Sequence, residues 1–104
     1  MNVQIDFMGM IADITRTKKL ALDFDEAPTL RELLGELECR YGEEFGTHIY
    51  RSARTPRELQ KAMRIFINGN VVDDRALEVS LPALPEPGSH TAVLVYFLPA
   101  CCGG

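Results

Sequence analysis

The residues best placed to do chemistry stand together at positions 101–104, where Cys101-Cys102-Gly103-Gly104 follows Pro99 and Ala100. Glycine makes up about 7% of an average sequence, so a closing pair arises by chance only about once in two hundred chains. Neither glycine carries a Cβ, and the stretch from Pro99 to Gly104 spans roughly 20 Å when extended. Such a tail presents a carboxylate on a thin tether that can thread a channel too narrow for side chains. The two thiols beside it add a possible nucleophile, since the thiolate is the reactive form of cysteine.

Elsewhere the reactive residue types do not assemble. His48 and His90 fall in stretches that read as loops, without a serine elbow or metal-ligand spacing nearby, and no phosphate-cradling glycine loop precedes a helix. Both are read as surface histidines. The three cysteines lack the Cys-x-x-Cys spacing of a zinc site, and no metal site is expected. Cys39 lies opposite the apolar stripe of its helix and reads as an incidental, partly exposed thiol. Cys101 and Cys102 could close only a strained ring with each other, so a reducing cytoplasm is the expected compartment. Asp73-Asp74 reads as turn chemistry.

A basic cluster, Arg51, Arg54, Arg57, Lys61 and Arg64, is offset only by Glu58 and carries a local charge of +4. The whole chain carries −4, so the rest carries −8 and the field is polarised. The cluster reads first as a solvated face, and otherwise as a means of steering an acidic partner or contacting a phosphorylated substrate at a shared site. The overall sign is wrong for a dedicated nucleic-acid or anionic-membrane binder. No apolar run approaches the ~18–20 residues of a spanning helix, and the N-terminus alternates polar and apolar residues rather than forming a leader. With 104 residues, 46% hydrophobic and 25% charged, the chain has the length and composition of one soluble domain that needs no disulfide or metal staple.

The elements that must position the tail are read from periodicity. Val3, Ile5 and Phe7 alternate with Gln4 and Asp6 as a strand with one buried face does. Alternation returns at Leu20, Leu22 and Phe24, which predicts an antiparallel partner. Pro28-Thr29 with Glu32 three residues on predicts a capping box, and Leu30, Leu33, Leu34, Leu37 and Tyr41 then form one helical stripe that Gly42 ends. The stretch Gly42 to Ala62 is less readable; Thr55, Pro56 and Glu58 suggest a short helix over Pro56 to Ala62. Arg64 to Asn68, the turn Asn68-Gly69 and Val71-Val72 predict a hairpin. Pro82, Pro85, Pro87 and Gly88 predict a stiff loop before a last strand, Ala92 to Leu98, whose two apolar faces place it mid-sheet.

Placing that last strand parallel to the first, with a long crossover between, is the economical arrangement. The fold class expected is α+β: a β-grasp, ubiquitin-like mixed sheet packed on one main helix over residues 1–98, followed by a flexible tail over 99–104. The sequence then resembles the ubiquitin-like sulfur carriers, and most closely the small subunit of molybdopterin synthase. The resemblance rests on Val3 to Gly9, Pro28-Thr29-Leu30-Arg31-Glu32-Leu33-Leu34, Ile65-Phe66-Ile67-Asn68-Gly69, and Val93 to Pro99 leading into Gly103-Gly104. Where that family usually has small or hydroxylated residues before the diglycine, this chain has Cys101-Cys102.

The resemblance implies that Gly104 is adenylated by a ubiquitin-activating-type adenylyltransferase and becomes a thiocarboxylate. It also implies that the tail delivers its sulfur in the active site of the larger molybdopterin synthase subunit, for the dithiolene of a molybdenum or tungsten cofactor. ATP would be used by the activating partner, with no cofactor bound here. Two other sulfur destinations, thiamin and cysteine, remain open, as do a protein modifier joined to lysine through Gly104 and a plain interaction module. Phe66 should point away from the core, and either Val93, Val95 and Phe97 or Leu94, Tyr96 and Leu98 should share that outer face. Phe66, Phe97, Leu98 and Pro99 are the expected partner-binding residues, unless the segment Gly42 to Ala62 folds over that face instead.

Overall fold

The structure, a computed structural model, describes residues 1–50, 59, 63–82 and 91–97. The expected helix over Pro56 to Ala62, the proline-rich loop, and the tail from residue 98 onward lie outside them, apart from Leu59, Leu81 and Pro82.

Five strands form one mixed sheet: β1 (Asn2–Gly9), β2 (Lys19–Asp23), β3 (Met63–Ile67), β4 (Asn70–Val72) and β5 (Thr91–Phe97), in the order β2-β1-β5-β3-β4. The last strand is central. It runs parallel to β1, with Ile5 opposite Val93 and Phe7 opposite Val95, and antiparallel to β3, with Ile65 opposite Val95. The β1–β2 and β3–β4 hairpins flank this centre. The apolar residues on both faces of β5 agree with its central place: Val93 and Val95 are buried on one face, and Leu94 and Tyr96 are half-buried on the other.

Three helices accompany the sheet: α1 (Met10–Thr15), α2 (Leu30–Tyr41) and α3 (Glu43–Ile49). The expected capping box opens α2: the Thr29 hydroxyl accepts from the Glu32 N–H at 3.1 Å, and the Glu32 carboxylate accepts from the Thr29 N–H at 2.8 Å. Two more helix-start N–H groups are met by a neighbouring segment, Leu30 donating to the Val79 carbonyl and Arg31 to the Leu77 carbonyl. Leu30, Leu33, Leu34 and Leu37 are fully buried, and Gly42 stops the helix with a φ of 91°.

Helices α1 and α3 are not marked in the sequence by any clear helical period. Six residues of α1 hold fewer than two turns, too few to show a helical period, although Ile11 is fully buried. In α3, Phe45 and Ile49 sit one turn apart on a buried face, directly after Gly42 has broken α2. His48, expected in a loop, belongs to α3, where its Nδ1 lies 2.8 Å from the Glu44 carbonyl. Phe7, Tyr41 and Phe45 form an aromatic cluster with centroids 5.8–6.5 Å apart, two of the three pairs edge to face, tying α2 and α3 to β1.

The described residues of the segment 42–62 therefore join the helix side of the sheet and do not cover its outer face. Phe45, Ile49, Tyr50 and Leu59 are all members of the core that contains Val3, Ile5, Ile65, Val93 and Val95. Tyr50 and Leu59 form an isolated antiparallel bridge, and the Leu59 N–H donates to the Asp74 carboxylate at 2.8 Å.

Candidate functional site

Whatever follows residue 97 starts from the most firmly held strand of the molecule. Thr91, at the entrance of β5, is buried, and its hydroxyl donates to the Pro82 carbonyl at 2.6 Å. Next to it, Asn68 clamps Ala92 from both ends: the Asn68 N–H donates to the Ala92 carbonyl at 2.8 Å, and the Asn68 side-chain oxygen accepts from the Ala92 N–H at 2.9 Å. This clamp depends on the turn the dipeptide Asn68-Gly69 makes, with φ of 50° and 87°. At the far end Phe97 closes β5 opposite Gly9 of β1 and Met63 of β3.

The outer face of the sheet resolves the choice that periodicity left open. Val93 and Val95 are buried on the helix side, so Leu94 and Tyr96 lie on the outer face with Phe66, each half-buried by its neighbours in the sheet. One row across the strands reads Asp6, Leu94, Phe66 and Val71; the next reads Met8, Tyr96 and Arg64. Val71 is 60% exposed and Met8 49%, although both are large apolar side chains. Of the two outward sets that alternation allows, the one with Leu94 and Tyr96 stands beside Phe66, and register across β1, β5, β3 and β4 adds Asp6, Met8 and Val71 to them.

The remaining candidates separate. Leu98, Pro99, Cys101, Cys102, Gly103 and Gly104 lie outside the described residues, as do His90 and every member of the basic cluster except Arg64. Arg64 is exposed on the outer face beside Tyr96, and its guanidinium donates to the Met63 carbonyl at 3.0 Å. Cys39 is an exposed free thiol on α2. Asp73 and Asp74 do turn work: the Asp73 carboxylate accepts from the Arg75 N–H at 3.0 Å and begins a single 3-10 turn, Asp74–Ala76. Among the described residues no group of three His, Cys, Asp or Glu side chains is placed to hold a metal ion, and no helix is long and apolar enough to cross a membrane.

No protein-family model matches the sequence, and no curated protein matches it. Solved structures do match the fold along almost the whole chain. The crystal structure of small archaeal modifier protein 1 (SAMP1) from Haloferax volcanii superposes with a TM-score of 0.66 at 16% identity, covering 95% of this chain and 96% of that one. The SAMP1 solution structure from Methanosarcina acetivorans gives 0.67 at 18% identity, covering 93% and 92%. A putative molybdopterin converting factor, subunit 1, from Pyrococcus furiosus gives 0.65 at 15% identity, covering 94% and 98%. The fold is thus the ubiquitin-like β-grasp, as the order of strands and helix predicted.

Proposed function

We propose that this chain is a ubiquitin-like sulfur carrier whose terminal carboxylate, on Gly104, is loaded with sulfur by one partner and unloaded by another. The observation that carries the reading is the central, last-in-sequence strand β5, locked between β1 and β3, from whose end the sequence runs through Pro99 to Gly103-Gly104. A rigid domain with a side-chain-free terminus suits a substrate that must enter two different active sites in turn. The likeness to a converting-factor subunit and to small archaeal modifiers supports the same general use of the fold.

The chemistry follows from what a carboxylate lacks. It is a poor electrophile until a leaving group is supplied, so a carboxylate oxygen of Gly104 attacks the α-phosphate of ATP and releases pyrophosphate. The activating enzyme, an adenylyltransferase of the ubiquitin-activating type, binds and consumes that ATP. A hydrosulfide or persulfide sulfur from a donor then displaces AMP, and a persulfide donor also needs a thiol to cleave its S–S bond. The resulting thiocarboxylate sulfur is a far better nucleophile than oxygen. It attacks an electrophilic carbon of the acceptor, and hydrolysis of the acyl–sulfur bond leaves sulfur on the acceptor and restores the carboxylate. The acceptor proposed is a dithiolene precursor held by the larger subunit of molybdopterin synthase. Phe66, Phe97, Leu98 and Pro99 are proposed to dock this chain on its partners, in a cytoplasm that keeps Cys101 and Cys102 reduced.

A second reading, a modifier joined to a target lysine through Gly104, is favoured by the names of two of the matched structures. Intact-protein mass separates the two. Incubated with activating enzyme, ATP and a sulfur donor, a carrier exchanges one terminal oxygen for sulfur, whereas a modifier enters heavier conjugates. Deleting Gly104 should abolish the exchange and leave the fold intact. Normal loading of the shortened chain would overturn the carrier reading.

A further inference from the structure

We propose that the free edge of the sheet, strand β2, pairs antiparallel with β2 of a second copy of this chain. Among the described residues, β2 has a strand neighbour on one side only, β1. The Phe7 N–H donates to the Lys18 carbonyl and the Phe24 N–H to the Met1 carbonyl, with Ile5 opposite Leu20 and Val3 opposite Leu22. Backbone hydrogen bonds alternate in direction along an antiparallel strand. The even-numbered residues therefore bond to β1, and Lys19, Ala21 and Asp23 direct their N–H and C=O groups outward, as an open template for another strand.

The charges along that edge identify the occupant. Arg16, Lys18 and Lys19 precede Ala21, while Asp23, Asp25 and Glu26 follow it, and all of them are exposed. Reversing such a strand about Ala21 sets cation against anion at two positions, Lys19 with Asp23 and Arg16 with Glu26, and brings no like charges opposite each other. Ala21 meets Ala21, Lys19 of each copy lies opposite Asp23 of the other, and the stretch 16–18 runs alongside residues 24–26. This self-complementarity is what a two-fold interface demands, because each patch must fit its own image. A partner with unrelated sequence would have to reproduce it by coincidence. The other edge, β4, has no such pattern: Asp73-Asp74 and Arg75 follow its three residues, and the Asn68-Gly69 turn before them supplies no charge to oppose those groups in a reversed copy.

The geometry is consistent on both faces. A two-fold axis perpendicular to the sheet keeps each face on its own side, so Lys19 and Asp23 meet on the outer face. Leu20 and Leu22, half-buried on the helix side, meet across the junction. The Met1 amino group lies 3.5 Å from one Asp23 oxygen, but the Asp23 side chain is 84% exposed and can also face Lys19 of the second copy. The Thr17 hydroxyl donates to the Lys19 carbonyl at 3.0 Å, and the carbonyl's second lone pair is free for an inter-copy bond. Since β3 and β4 lie at the other end of the sheet, pairing leaves Phe66 uncovered. The inference therefore stands or falls separately from the sulfur-carrier reading.

Sedimentation equilibrium of the full chain tests it at low ionic strength, up to millimolar concentration. The expected result is a reversible monomer–dimer equilibrium that salt weakens. Ala21→Pro removes an N–H that faces away from β1, so it should leave the melting temperature of the monomer nearly unchanged and abolish the dimer. Lys19→Asp or Asp23→Lys alone places like charges opposite each other twice and should weaken self-association about tenfold or more. An equal mixture of those two variants should recover it as a heterodimer, which a mere folding defect would not do. A wild-type chain that stays monomeric, a dimer indifferent to Ala21→Pro, or a mixture that associates no better than its components would each overturn the proposal.

Discussion

Thr29 and Gly35 act on the same helix in opposite directions, and both effects are measurable. The Thr29 hydroxyl holds the Glu32 N–H, one of three orphan donors at the start of α2 that all have partners. Thr29→Ala should cost about 1 kcal/mol, lowering the melting temperature by roughly 4–8 °C. Gly35 sits in the interior of α2, and a Cβ built there meets nothing within 4 Å. Gly35→Ala should therefore stabilise by about 0.5–1 kcal/mol, read in the same thermal melt. A loss of stability on Gly35→Ala would mean that the helix surface there is not open. Both features were legible in the sequence because each depends on residues within one turn. The dipeptide Asn68-Gly69 was legible for the same reason, although its second use, the side-chain clamp of Asn68 on Ala92, joins residues 24 apart and left no local sign.

Strands were harder to orient than to find. In β5 the sets Val93, Val95 and Leu94, Tyr96 are equally apolar, so alternation gave two faces and no way to choose between them. Register with β1 and β3 makes the choice, because Val93 and Val95 stand beside the inward-facing Ile5, Phe7, Ile65 and Ile67. In β3 the order was plain, since Arg64 and Phe66 alternate with three buried residues, Met63, Ile65 and Ile67. Helix α3 has no such legibility: its seven residues follow directly on Gly42, which ends α2, and hold only one apolar repeat, Phe45 to Ile49. The outer face makes its own prediction. Phe66 is flanked by Leu94 and Val71 and only half-buried, with no helix over it among the described residues, so Phe66→Asp should shift the melting temperature by only a few degrees. The same change should weaken binding to the activating enzyme or the larger synthase subunit by about tenfold or more, as loss of an aromatic anchor does. Binding can be followed by titration calorimetry. An unfolded variant, or unchanged binding to both partners, would rule out this docking face.

Taken as a whole, the molecule separates stability from chemistry along its length. Every buried hydrophobic residue of the described core lies between Val3 and Val95, and the proposed reactive group lies at Gly104. The two functions should therefore fail independently. Ile5 is fully buried in β1 between Leu20 and Val93, and Ile5→Ala should cost about 2–5 kcal/mol, a large share of the ~5–15 kcal/mol typical of a domain. Sulfur loading by the fraction that remains folded should be normal, because the tail is unchanged. The converse variant replaces Cys101 and Cys102 together by Ser. It alters no core residue, so its melting curve should overlay the wild type. If the thiols are there only because they are small enough for a threading tail, adenylation should proceed and thiocarboxylate formation should slow only modestly. Complete loss of sulfur loading with normal adenylation would show instead that the thiols take part, one of them accepting the acyl group from AMP or relaying persulfide sulfur to it. Pyrophosphate release and intact mass, measured on the same sample, distinguish these outcomes.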